Sequence, residues 1–429
     1  MGQLKLQLKK ITPTWMLSLY HYKMSLVGAL RYGFPSRNIK VVGVTGTKGK
    51  SSTVEILNAI LEEAEFTTAL VSTVRFKVGN DSEPNRLKMT TPGRFFLQKK
   101  IREAVEAGCD YIIIEMSSEG VKQWRHKFIT LNALLVTNLS PEHIESHGSY
   151  ANYREAKLKI AKALTRSSKP HKVLVTNGDD PELEVFRQLK NVTQVSTHLV
   201  DASPHTLLAD GLFFTYKNQK IQTKLVGEFN LYNILLAVAY AEHENVDSEK
   251  IKKALEKFTG VPGRLELVTS SDPTLARRQN FKVIVDYAHT ADSLKKVYEI
   301  YKDHKIIAVL GGTGGGRDRD RRTIMGGLAN KYASLVIVTD EDPYDEDPRQ
   351  IAEAVATGVT STPKKIIMDR REAIRVALKS ATGDSVVIIT GKGTDPYIMR
   401  AGGTKELWSD AEVAREELEM VLKERSEQK

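Results

Sequence analysis

Six consecutive residues set the chemistry open to this chain: Gly46-Thr47-Lys48-Gly49-Lys50-Ser51. The glycines let backbone N–H groups approach phosphate oxygens, Lys50 bridges the β- and γ-phosphates, and the Ser51 hydroxyl can join Mg²⁺. The surroundings suit that use. A β-branched run, Lys40–Thr45, leads into the loop, and Ser51–Glu63 has helical spacing, so a helix N-terminus adds its partial positive charge. The general phosphate-loop pattern has a further glycine where this chain has Val44, which makes this a shorter variant. A tight strand–helix turn with a chance lysine is the alternative. Strand, loop, Lys-Ser and helix standing in register weigh against it.

A nucleotide-site strand that ends in a carboxylate supplies a second metal contact, and Tyr111–Met116 (YIIIEM) does so with Glu115. An acid at a strand end is common. Its place after a buried-type apolar run favours the metal role.

The elements needed to hold these residues alternate along the chain. Strand-like runs at Lys40–Thr45, Tyr111–Met116 and Ala133–Thr137 interleave with helical spacing at Ser51–Glu63 and Arg94–Ala107. Tyr150–Thr165 and Asn230–Glu244 read as later helices. Such alternation predicts an α/β fold, a doubly wound and mostly parallel sheet. Val261-Pro262-Gly263-Arg264 marks a boundary, after which a second α/β series begins at Val283–Asp286 and runs to a helix at Ala411–Lys423. The predicted organisation is a short helical segment over 1–39, a nucleotide-binding domain over 40–263 and a Rossmann-like α/β domain over 264–429.

Bulk composition narrows the class. The 429 residues, 41% hydrophobic and 27% charged, fit a globular protein of two or three domains rather than a disordered chain. The single cysteine, Cys109, excludes an internal disulfide or a multi-thiolate zinc site and fits a reducing, cytoplasmic setting. A net charge of +10 allows an anionic partner. The basic residues are spread over helix faces without interleaved aromatics, so phosphorylated small molecules are expected and nucleic acid is not. Trp15–Leu30 is apolar but interrupted by His21, Tyr22 and Lys23, too short and broken to span a bilayer. It reads first as a helix packed on the protein. The second reading is weak membrane-surface contact through residues 1–35, where Lys5, Lys9, Lys10, Lys23 and Arg31 flank the apolar residues.

From residue 40 onward the chain resembles the Mur ligases, in particular the branch that extends a muramyl-dipeptide precursor to a tripeptide. The resemblance rests on ordered motifs: GTKGKSS at Gly46–Ser52, TTP at Thr90–Pro92, EMSSEGVKQWR at Glu115–Arg125 and TNLSPEHIESHG at Thr137–Gly148. YREAK follows at Tyr153–Lys157, then GEFNLYN at Gly227–Asn233, VPGR at Val261–Arg264, DYAHT at Asp286–Thr290 and GGGRDRDRR at Gly314–Arg322. DEDP at Asp340–Pro343 and GKG at Gly391–Gly393 complete the series. Each string is weak; their order is specific.

The resemblance implies that ATP phosphorylates a peptide carboxylate and that an amino acid's amine then attacks the acyl phosphate. It implies ATP contacts from Gly46 through Ser52, from Asn233 near the adenine and from Arg264 at the hinge. Asp286, Tyr287 and His289 would belong to the domain that closes over ATP. It implies Mg²⁺, with Mn²⁺ a second choice, held by Ser51, Glu115 and His143, and a carbamylated lysine at Lys157. Read without the family, Lys157 is one lysine on a charged helix, and His143 and His147 are loop histidines. Thr91, Ser117, Gln123 and Arg125 match positions near the muramyl-peptide.

Two departures stand out. The relatives' D-N-P-R segment has Asp342 and Tyr344 in place of its asparagine and arginine, and Gly391-Lys392-Gly393 continues into Thr394-Asp395 instead of His-Glu. The acids could favour a cationic amino acid such as lysine, or form only an acidic loop; Asp395 could meet an amino group. Arg317, Arg322 and Arg371 remain as carboxylate contacts or as surface charge. The N-terminal domain that binds the uridine diphosphate in typical members is expected to be lacking. A folylpolyglutamate- or cyanophycin-type ligase, or a non-catalytic nucleotide-binding protein, stand as the alternatives.

Overall fold

The structure, a computed structural model, describes residues 13–142, 144–316 and 319–427. The chain forms two compact units. The first takes in the described residues through Thr206 with Leu212–Lys224 and Glu228–Phe258; the second takes in Leu207–Gly211, Leu225–Gly227 and the chain from Thr259 onward. The helix α1 (Thr14–Arg31) is therefore part of the first unit, and the change of unit at Thr259 lies just before the Val261–Arg264 turn.

In the first unit, β1 (Lys40–Thr45), β2 (Thr68–Val71), β5 (Tyr111–Glu115), β6 (Ala133–Val136), β7 (Val173–Asn177) and β8 (Thr193–Thr197) form a parallel sheet in the order β2-β5-β1-β6-β7-β8. β3 (Arg75–Val78) and β4 (Asp81–Pro84) extend it antiparallel beyond β2. The central strands are apolar runs because both faces are covered. Val41, Ile112, Ile114 and Leu134 pack with Ile101 of α3 (Arg94–Glu106) and Ile160 of α5 (Tyr150–Thr165) on one face. α2 (Lys50–Glu63) lies against α6 (Glu228–His243), which is buried from Asn230 to Ala241 except at Tyr232. Parallel register sets Val44 opposite Glu115 and Thr45 opposite Val136. The loop after β1, the acid ending β5 and the residues after β6 consequently leave along one edge of the sheet. That edge is where open α/β sheets bind ligands.

The second unit is a six-stranded sheet in the order Glu266–Leu267, Lys282–Asp286, Ser385–Thr390, Lys305–Leu310, Ala333–Val338, Lys364–Ile366, parallel except for the first strand. Two separate apolar clusters, one around Val283, Val309 and Leu418 and one around Leu294, Ala308 and Val355, show that both faces are covered. The expected α/β architecture holds in both units. Helix Asp320–Tyr332 and the hairpin strands Gly211–Tyr216 and Gln219–Thr223 are additions that the sequence periodicity did not indicate. Among the described residues, no helix is long and apolar enough to cross a membrane.

Candidate active site

The phosphate loop is shaped by what stands behind its glycines. Gly46 has φ +144° and Gly49 φ +83°, and added Cβ atoms would come 1.9 Å from Thr137 Oγ1 and 2.3 Å from Asn233 Oδ1. Only glycine allows these approaches. The residues after β6 hold the loop: Thr137 Oγ1 donates to the Lys48 carbonyl at 2.6 Å, and Lys48 N donates to Asn138 Oδ1 at 3.0 Å. Thr47 Oγ1 meets Tyr153 Oη at 2.9 Å and accepts from Ser140 N at 3.0 Å. The first turn of α2 carries no side-chain cap. Its N–H groups, with Ser51 and Ser52 beside them, suit phosphate oxygens.

Asn233 sits behind this loop, buried in α6. Its Oδ1 accepts from Thr53 Oγ1 at 3.3 Å, and its Nδ2 donates to Asn230 Oδ1 at 2.9 Å. The residue that the resemblance sets near the adenine also stands close behind Gly49 and holds the first turn of α2 through Thr53.

Two lysines meet at the loop's first carbonyl. Lys50 Nζ donates to the carbonyls of Gly46 (3.1 Å) and Thr47 (3.0 Å), and Lys157 Nζ donates to Gly46 at 2.6 Å. Lys157 is 2% exposed, with its Nζ 4.9 Å from the Tyr153 ring centroid. Loss of water pushes its ammonium well below the usual lysine range. The charge of Lys50 pushes the same way, and Glu142 opposes both. Glu142 also pairs with Lys48.

Glu115 is fully buried at the end of β5. Its Oε1 accepts from Thr73 N at 2.8 Å and its Oε2 from Thr73 Oγ1 at 2.9 Å, which fixes the carboxylate plane. Thr91 Oγ1 donates to the Glu115 carbonyl at 3.0 Å and accepts from Ser117 N at 2.9 Å, with Ser117 Oγ 3.0 Å away. Arg125 donates to the Thr91 carbonyl and to Gln123 Oε1 (2.7 Å). The four residues expected at the muramyl-peptide thus form one connected group beside Glu115. Glu55, a turn past Ser51, is chelated by Arg75 at 2.6 to 3.1 Å; burial nonetheless raises its carboxyl pKa.

A hydroxyl and a carboxylate oxygen are hard donors, the kind that Mg²⁺ takes alongside phosphate oxygens. Among the described residues no group of three or more His, Cys, Asp or Glu could hold a metal unaided. Ser51 and Glu115 fit a cation shared with a nucleotide. His143 and Arg317 lie outside the described residues. His147 is buried, with Nε2 3.1 Å from Ser118 Oγ and 3.1 Å from Glu119 Oε1, which is a structural contact.

In the second unit, the acidic set is internally matched. Lys392, fully buried, donates to Asp342 Oδ1 at 2.7 Å and pairs with Asp395 Oδ2 at 3.2 Å. Met399 N also donates to Asp342 (2.8 Å), and Asp340 pairs with Arg400. Of the acids that suggested a cationic amino acid, Asp342 and Asp395 share Lys392 and Asp340 pairs with Arg400. Tyr344 has φ +53° and its N–H donates to the Met399 carbonyl at 3.1 Å. Gly391 has φ +110°, and a Cβ there would lie 2.4 Å from Glu341 Oε2. Arg322 pairs with Glu346 at 2.8 Å, and Arg371 with Glu416 and Glu417 at 2.7 and 2.9 Å. The Arg264 guanidinium lies 4.3 Å from the Tyr287 ring centroid, and Asp286 accepts from Leu265 N and Ala288 N, both at 2.7 Å.

Sequence reasoning missed Thr73, which no motif marks. It passed over Thr137, Asn138 and Tyr153 as individual residues, although they sit inside the TNLSPEHIESHG and YREAK strings. An uncapped phosphate loop, an acid ending the adjacent strand and a buried lysine behind the loop define a P-loop nucleotide-binding unit. Comparison with known proteins narrows the class. Family models described as Mur ligase middle domain and as Mur ligase, glutamate ligase domain match residues 44–241 and 263–393. A relative from Syntrophomonas wolfei, named UDP-N-acetylmuramoyl-L-alanyl-D-glutamate--2,6-diaminopimelate ligase, is 34% identical over 415 residues, covering 93% of this chain and 82% of that protein. A UDP-N-acetylmuramyl-tripeptide synthetase from Roseiflexus is 34% identical over 420 residues, 91% of this chain and 81% of its own length. The chain belongs to the Mur ligase family. A solved diaminopimelate ligase shares 25% identity with TM-score 0.61, over 89% of this chain and 78% of that one. Mycobacterium tuberculosis folylpolyglutamate synthase in complex with ADP, at 17% identity and TM-score 0.67 over 87% of this chain and 92% of that one, shares the fold.

Proposed function

We propose that this chain is a cytoplasmic, ADP-forming ligase that adds an amino acid to the peptide carboxylate of a UDP-N-acetylmuramyl-peptide or a close analogue, in peptidoglycan precursor synthesis. The observation that carries the reading is the meeting of Lys50 and Lys157 at the Gly46 carbonyl. Binding a nucleotide requires only the first of these lysines. A second lysine, fully buried beside the charge of Lys50, has its ammonium form disfavoured relative to the neutral amine. Such an amine can attack CO₂, forming an N–C bond and releasing one proton, and the resulting carbamate is an anion suited to stand beside Lys50.

In the reaction, a carboxylate oxygen of the acceptor attacks the γ-phosphorus and ADP leaves. The amino acid's amine then attacks the acyl carbon, loses a proton and expels phosphate. The loop N–H groups and Lys50 hold the phosphates in line, which is most of what phosphoryl transfer asks of a protein. Ser51 and Glu115 would hold Mg²⁺, whose charge offsets that of the transferring phosphoryl group; Mn²⁺ would suit the same donors. His143 completes the proposed metal set. Thr91, Ser117, Gln123 and Arg125 are assigned to the acceptor, and Asp342, Tyr344, Gly391 and Asp395 to the incoming amino acid.

The test is ADP release measured across acceptors. Release that needs both a UDP-muramyl-dipeptide and an amino acid supports the reading. Release driven by a folate with glutamate, and not by any muramyl-peptide, replaces it with the folylpolyglutamate reading suggested by the shared fold.

A further inference from the structure

The helix α1 is amphipathic in the wrong sense for a helix that belongs only to a globular surface. Its buried residues are small: Ser25, Gly28 and Ala29, with Tyr22 beside them packed on the rings of Trp124 and Phe128. Ser25 Oγ donates to the Trp124 carbonyl at 2.9 Å, Trp124 Nε1 donates to Ser18 Oγ at 2.8 Å, and a Cβ on Gly28 would sit 3.6 Å from the Arg94 carbonyl. These contacts bring the helix close to the first unit and fix its rotation.

The outward side carries the bulk. Trp15, Met16, Leu19, Tyr20, Val27 and Leu30 are exposed, Trp15 by 66% and Leu30 by 59%. At about 100° per residue these six fall within an arc of roughly 140°. Lys23 lies inside that arc and Arg31 at its margin, both exposed. A soluble helix normally turns such a stripe to the core. An outward face this rich in large apolar side chains marks an interaction surface.

Charge indicates what covers it. The chain has no Asp or Glu before Glu55, whereas residues 1–40 contain seven Lys and Arg. The side chains on the stripe, tryptophan and tyrosine with aliphatics and interspersed cations, are those that settle at a lipid headgroup boundary. The helix is too short and interrupted to cross a bilayer, and at 18 residues it spans about 27 Å when lying flat.

We propose that the outward face of α1 docks the protein, reversibly and in plane, on an anionic lipid surface. The inference is independent of the ligase reading, since it uses no residue of the phosphate loop or its partners.

The test uses the full chain with sedimented vesicles of phosphatidylcholine alone or with about a third phosphatidylglycerol, at low and high salt. The expected result is binding to the anionic vesicles only, weakened by high salt. A Leu19→Ser/Val27→Ser/Leu30→Ser variant and a Lys23→Glu/Arg31→Glu variant should each lower the bound fraction about tenfold, with thermal unfolding and ATP binding as controls for folding. No binding to anionic vesicles, or equal binding by both variants, overturns the proposal. A lipid-free dimer that the apolar variant dissociates also overturns it, by making a second copy the occupant. Protection of Trp15 from acrylamide without lipid, read as the difference from Trp15→Phe, would assign the cover to the chain's own N-terminal residues and overturn it as well.

Discussion

Lys157 Nζ and Lys50 Nζ converge on one acceptor, the Gly46 carbonyl oxygen, at 2.6 and 3.1 Å. Two ammonium groups sharing one oxygen in a buried pocket repel each other, and the buried one, Lys157, bears the larger cost of losing water. Conversion of Lys157 to a carbamate removes that conflict. Lys157→Ala should lower ligase turnover by about 10²–10³-fold, the size seen when a positioned electrostatic group is removed. Acetate or formate should restore part of the loss in the Ala variant. Loss without restoration would leave Lys157 as an ordinary structural cation.

Gly49 and Asn233 form a second dependence, across two helices. Gly49→Ala must adopt φ +83° and place a methyl 2.3 Å from Asn233 Oδ1. A non-glycine residue in this region costs about 1–3 kcal/mol before any clash. Urea unfolding should show a loss of at least that size. Adding Asn233→Ala should recover only the steric part.

How far the site could be read from sequence depends on whether its contacts are local. The loop, its strand and its helix are contiguous, so Gly46–Ser51 carried its own signal; Glu115 did too, because an apolar run ending in acid is a local pattern. Lys157 did not. Its helix alternates charges like a solvated one, and only packing of α5 against the sheet shows that this lysine is 2% exposed. Asn233 was linked to the nucleotide by resemblance, and its closeness to Gly49 comes from α6 lying against α2, which no local pattern shows. The same limit applies to Asp342. Its acidic neighbours are visible in sequence, but Lys392, 50 residues on, neutralises it only in the fold.

That pairing gives a third expectation. Lys392 is bonded to both Asp342 (2.7 Å) and Asp395 (3.2 Å). Lys392→Met removes the buried ammonium that these two acids share. Stability should fall by about 3–5 kcal/mol, as for other buried pairs broken on one side. Thermal and urea unfolding at pH 7 would measure it.

Glu341 supplies a pH dependence. Its carboxyl is buried, with Oε1 accepting from Thr313 Oγ1 at 3.0 Å, and burial raises its pKa above 4.5 against the pull of Arg370 and Lys392. The folded chain therefore keeps this proton to higher pH than the unfolded chain does. The resulting stability is fully present below the unfolded value and is lost as pH rises through the folded one. Glu341→Gln cannot ionise, so its stability relative to wild type should increase from acid to neutral pH. An offset between the two proteins that stays constant across that range would contradict this assignment.

The reaction itself is tested most directly by mass spectrometry of the product formed from ATP, Mg²⁺, a UDP-muramyl-dipeptide and each candidate amino acid in turn. The account predicts that one amino acid is joined with loss of water, with one ADP and one phosphate released per amide bond, and that Glu115→Gln abolishes the product. ADP formation with no ligated product from any pairing of muramyl acceptor and amino acid would contradict it.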